Sequence, residues 1–189
     1  MTGGWRRAVA GLLLVSGLCL GSGAARAAVV LPLSVEELAH RADTVVRGTA
    51  LGTRSVRSAD GKQIHSVTTV RVDLALKGAP PIEVDVLSPG GTWGRITQSV
   101  AGAPRFVPGE RVILFLRSAG TRRFRVEGLS LGKFEVWADE RGTAQVTQRA
   151  EGIQIAGPDG SVRPAPPVGP IPEQDFLARV RAALRRERQ

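Results

Sequence analysis

Apolar and polar residues alternate with a period of two over several stretches of this chain, and that period is the signature of half-buried β-strands. Val70, Val72, Leu74 and Leu76 alternate with Thr69, Arg71, Asp73 and Ala75. One row therefore faces a core, and the other is mostly polar. Ile82, Val84 and Val86 repeat the pattern against Glu83 and Asp85, up to the breakers Ser88-Pro89-Gly90-Gly91. An earlier strand is expected at Thr44 to Leu51, joined to the Val70 strand through the turn signal Asp60-Gly61 within Arg57 to Lys62. Val112 to Leu116 is apolar at five consecutive positions between Arg111 and Arg117, which predicts a strand covered on both faces. Further strands are expected around Phe124 to Glu127, Lys133 to Trp137 and Ala144 to Thr147, the last two joined by Asp139-Glu140-Arg141-Gly142.

Helical signals occur only at the two ends of this array. Ser34-Val35-Glu36-Glu37 matches the capping box, in which a hydroxyl and a carboxylate satisfy orphan amides at a helix start, so a short helix through about Arg41 is expected. From Glu173 the spacing of Phe176, Val180 and Leu184, with Leu177 beside them, draws an apolar stripe opposite Arg179, Arg181, Arg185, Arg186 and Arg188. That stripe either docks back on the strands or lies on an anionic membrane surface. Between strands and terminal helix, residues 157–172 hold six prolines and three glycines and read as an extended linker. Thr92 to Gly109 has little periodicity and reads as a long loop with one helical turn at most. The expected fold is all-β: an oligonucleotide/oligosaccharide-binding (OB)-like barrel of five to seven mainly antiparallel strands, flanked by a short N-terminal helix and an amphipathic C-terminal helix. Its domain boundaries are 28–156 for the barrel, 157–172 for the linker and 173–189 for the helix.

Residues 1–27 change the picture of where the protein works. Arg6 and Arg7 form a basic start, Ala8 to Leu20 an apolar run, and Ala25-Arg26-Ala27 a small-x-small cleavage site, the anatomy of a signal peptide cut after Ala27. A transmembrane anchor wants a longer run than this one, which Ser16, Gly17, Gly21 and Ser22 dilute. A lipoprotein site wants a small residue before Cys19, and Leu18 stands there. A twin-arginine signal is poorly matched by Trp5 before the pair and Val9 after it. A secreted or periplasmic protein with no anchor after cleavage is therefore expected.

Cleavage removes Arg6, Arg7 and Arg26 and no acidic residue, lowering the formal charge from +9 to +6, and removes Cys19, the one cysteine. A disulfide framework is thereby excluded, and an ordinary core of about 160 residues has to supply the stability. The remaining cations are almost all arginine, in a chain also rich in alanine and glycine, so the charge reads as a solvated surface and not as a nucleic-acid footprint.

The chain lacks the residue sets of most chemistries. Gly128-Leu129-Ser130-Leu131-Gly132 fits the G-x-S-x-G pattern of serine hydrolases, but that motif needs a strand turning into a helix, and here a strand follows. Neither His40 nor His65 is placed to complete a triad, so the glycines are read as permitting a bulge or tight bend and no catalytic residue is assigned. Two separated histidines and no mature cysteine exclude structural zinc; Glu83 and Asp85 on one strand face are solubility residues before they are a calcium site. No Gly-rich phosphate loop opens a helix, and no cofactor is implied. Trp93, Phe106 and the run Arg122-Arg123-Phe124-Arg125 are the candidates for a recognition surface, because loop aromatics and arginines are favoured at hot spots. The same aromatics also serve as tucked-in loop anchors.

The order of these elements, with Ala42-Asp43-Thr44-Val45-Val46-Arg47-Gly48 opening the first long strand, Val70 to Gly78 ending in Leu-Lys-Gly, and Gly109 to Leu116 as a later core strand, resembles the netrin-like and tissue-inhibitor-of-metalloproteinases domain over about residues 42 to 137. The resemblance implies an extracellular OB barrel that binds proteins or glycans. Members carry cysteines, and the metalloproteinase inhibitors set a free N-terminal cysteine on the protease zinc; the mature chain has none, so neither that mechanism nor any site residue carries over. The functional expectation is a non-enzymatic binding module for a secreted protein, proteases included, or an envelope glycan. The alternative is a structural or assembly accessory of the cell envelope that docks through its terminal helix.

Overall fold

A computed structural model describes residues 28–157 and 159–186; the expected export signal and the cleavage site expected at Ala27 lie outside the described residues. The strands are β1 (Ala28–Val30), β2 (Thr44–Arg57), β3 (Ile64–Lys77), β4 (Glu83–Pro89), β5 (Gly91–Trp93), β6 (Ile96–Gln98), β7 (Arg111–Ser118), β8 (Arg123–Val126), β9 (Lys133–Ala138), β10 (Ala144–Gln148), β11 (Ile153–Ala156), β12 (Val162–Pro164) and β13 (Val168–Pro172). The helices are α1 (Val35–Arg41) and α2 (Glu173–Arg186). The expected all-β fold with a helix at each end is what the structure shows. Its main sheet is larger than the expected five to seven strands, with eight in the order β13-β10-β9-β7-β2-β3-β4-β8.

Five of these strands return on themselves. β2, β3 and β4 pair antiparallel in succession, β4 pairs parallel with β8, β8 pairs antiparallel with β7, and β7 pairs with β2. In chain order the ring runs first, second, third, fifth, fourth, as in an OB-like barrel. The free edge of β7 is divided: Leu116 to Ser118 pair with β8, whereas Arg111 to Leu114 pair with β9. Strands β9, β10 and β13 therefore leave the ring as an open arm, and the sheet is barrel-like without closing as a whole.

This division accounts for the five-residue apolar run. Val112, Leu114 and Leu116 join Val46, Val70, Val84, Val86, Phe124 and Val126 inside the ring. Ile113 and Phe115 point the other way, into a second core with Val45, Phe134, Val146 and both helices. Period-two alternation persists through the run, but both faces are covered.

α1 starts with the expected capping box: Ser34 Oγ accepts from Glu37 N at 3.2 Å, and Ser34 N donates to Glu37 Oε2 at 2.7 Å. At its other end Lys77 Nζ donates to the carbonyls of Ala39 and His40, satisfying acceptors that a helix terminus leaves open. The apolar stripe of α2, Phe176, Leu177, Val180 and Leu184, is buried in the second core. Docking back on the sheet is thus the arrangement adopted.

Residues 162–172 are largely extended, as their composition implies, but they pack. β12 pairs with β11, and β13 pairs with β10. Proline is tolerated because both are edge strands, where one row of amides needs no partner. The 92–109 segment also departs from expectation. Its first part is the hairpin β5–β6, and no helical turn forms there.

Candidate functional site

β4 alternates inward and outward along its length, and Ser88 falls on the same buried row as Val84 and Val86. Beyond it the chain turns sharply through Gly90, at φ +91°, where a Cβ would sit 2.7 Å from the Gln98 carbonyl oxygen. Only glycine combines that dihedral with so close an approach. The turn folds the β5–β6 hairpin back over β2 and β3. Ile64 N donates to Gln98 Oε1 at 2.8 Å, Ser66 Oγ to the Gly90 carbonyl at 2.9 Å, and Thr92 N to Ser55 Oγ at 3.2 Å.

Between this hairpin, the ends of β2 to β4 and the following loop lies a groove of about 390 Å³. Thr53, Thr68, Ser88, Thr97, Ser99 and Gln98 give it a polar but uncharged wall, Phe106 gives it an aromatic one, and Arg105 supplies its single charge. No carboxylate is among the described residues that line it. Most of the hydroxyls are engaged: Thr53 and Thr68 share a hydrogen bond of 2.8 Å, and Thr92 and Thr97 one of 3.0 Å. The Oγ of Ser88 is buried and has no hydrogen-bond partner among the described residues. A buried hydroxyl without a partner costs about 1–3 kcal/mol of desolvation, which makes it an unusual thing for a fold to keep.

The four recognition candidates separate. Phe106 lines this groove, packed against the ring core, with Lys133 Nζ 5.3 Å from its ring centroid. Trp93 lies on the same hairpin, exposed, and paired in register with exposed Ile96. Arg122 and Arg123 sit elsewhere, in a cleft of about 260 Å³ with Glu83, Asp85 and Thr69. There burial pushes the Asp85 carboxyl up, but hydrogen bonds from Arg54 at 3.1 Å and Thr69 at 3.0 Å outweigh it and hold the group below the usual carboxylate range. Asp85 is thus an anion already matched by its neighbours. Sequence reasoning missed Thr53, Thr68, Ser88 and Arg105 because β2, β3, β4 and a loop each contribute one common residue, with no shared motif.

The Gly128 to Gly132 segment forms a tight bend between β8 and β9, with a 3-10 turn at Leu129–Gly132 and left-handed backbone at Gly128 and Leu129. Ser130 Oγ is buried there without a hydrogen-bond partner among the described residues. Among the described residues no group of three or more His, Cys, Asp or Glu side chains is placed to hold a metal ion. No described helix is long and apolar enough to cross a membrane. No protein-family model matches the chain, and no curated protein matches it either.

Proposed function

We propose that the protein is an exported, non-enzymatic binding module that takes a glycan in the groove at Ser88. The observation that carries this reading is a groove walled by hydroxyls, an amide and the ring of Phe106, with the partnerless hydroxyl of Ser88 buried in its wall. Sugars present what such a wall complements, with hydroxyls to donate and accept and apolar C–H faces to lay against an aromatic ring. Titrating the protein with neutral and acidic oligosaccharides tests the reading. Ser88→Ala should weaken binding by about tenfold while leaving the unfolding midpoint unchanged or raised, since it removes an unsatisfied group. Absence of any saccharide binding by the native protein would overturn it.

A second reading, contact with a secreted protein such as a protease, draws on the exposed Trp93–Ile96 pair at the hairpin tip. Trp93→Ala should then abolish capture of that protein and leave saccharide binding intact. The envelope-accessory reading has less to draw on, because the apolar stripe of α2 is spent on the fold's own core.

A further inference from the structure

The Ser88 groove ends at the loop 99–105, and a second groove of about 240 Å³ begins on the same residues: Ser99, Val100, Ala103 and Arg105 line both. The second groove holds the other buried serine without a partner, Ser130, beside Lys133, Glu135 and Arg149. Its charges are largely matched within the protein. Lys133 Nζ lies 2.6 Å from Glu110 Oε1 and 3.2 Å from Glu135 Oε1, and Arg149 Nε lies 3.6 Å from Glu135 Oε2. Arg105 differs: among the described residues it has neither an ion pair nor a hydrogen bond, and it stands where the two grooves meet.

We infer that the two grooves form one cleft for an acidic glycan, whose carboxylate is taken by Arg105 at their junction. The inference rests on the glycan-binding reading above and adds the charge of the ligand. A guanidinium presents a planar fork of donors that a carboxylate fits with two parallel hydrogen bonds, whereas a neutral sugar uses that fork poorly. No acid lines the first groove, and Glu135 of the second is engaged by Lys133 and Arg149, which leaves Glu151 as the second groove's acid without an ion pair among the described residues; an anion reaching Arg105 along the first groove passes no carboxylate on its wall.

The test compares an oligogalacturonate with its fully methyl-esterified counterpart of equal length, by calorimetric titration of the protein and of Arg105→Gln. The acid should bind about tenfold tighter than the ester, Arg105→Gln should bring that ratio to about one, and raised salt should shrink it in the native protein. Equal affinity of the native protein for acid and ester, or a ratio that survives in Arg105→Gln, overturns the inference and leaves the glycan reading standing. If neither probe nor any neutral oligosaccharide binds, the glycan reading itself falls, and this inference with it.

Discussion

Arg179 of α2 grips Glu36 of α1 with both arms of its guanidinium, Nε to Oε1 at 2.7 Å and Nη2 to Oε2 at 2.8 Å, tying together helices from opposite ends of the described chain. Both side chains remain close to half exposed, so solvent screens the pair and it contributes about 0.2–1 kcal/mol. The Arg179 hydrogen bond holds the Glu36 carboxyl below the usual glutamate range, against the opposing effect of burial. A depressed carboxyl contributes stability that is present above its unfolded value and lost as pH falls through the folded one. Glu36→Gln should therefore lower the melting temperature by a few degrees at most near neutral pH. The difference from the native protein should disappear in acid below the ordinary carboxylate range, as read by thermal melts across pH.

Phe176 is fully buried, its ring 4.6 Å from that of Phe134, which in turn meets Phe115 at 5.6 Å. The terminal helix is thus part of the sheet's core and not an appendage on a tether. Phe176→Ala should cost about 3–5 kcal/mol in denaturant unfolding. Deleting residues 173–189 should abolish cooperative unfolding of the sheet.

Lys133 is buried between Glu110 and Glu135 beneath the ring of Phe106. Removing one member of such a group strands the others in a poorly solvated place. Lys133→Met should destabilise by about 3 kcal/mol, and adding Glu110→Gln should recover part of that loss, a coupling that a double-mutant cycle measures.

Gly90→Ala tests how the groove is built. The new methyl would meet the Gln98 carbonyl in a backbone conformation that alanine resists, so about 1–3 kcal/mol of strain has to be relieved by moving the hairpin. Oligosaccharide affinity should fall by more than tenfold while cooperative unfolding is retained. Retained affinity would show that the hairpin does not shape the binding surface.

Local signals sufficed wherever one short segment carries the whole instruction. The Ser34–Glu37 capping box, the alternation through Val70 to Leu76 and the Phe176 to Leu184 stripe each depend on neighbours within a turn or a few strand residues, and each formed as expected. Ser88 shows the boundary of such signals. Its place on the inward row follows from strand periodicity, but its lack of a partner depends on what β2, β3 and the hairpin bring to it.

The unbroken apolar run Val112 to Leu116 determined that both faces of β7 are buried; only the tertiary structure decided that one row fills the ring and the other meets the helices. Likewise, the prolines of 157–172 dictated an extended backbone, whereas the free edges of β10 and β11 decided that it would be sheet and not tether. A strand's own residues set which way its side chains point. Its hydrogen-bond partners, and any groove assembled between strands, come from segments far away in the chain, so they are settled only when the whole sheet assembles around its cores.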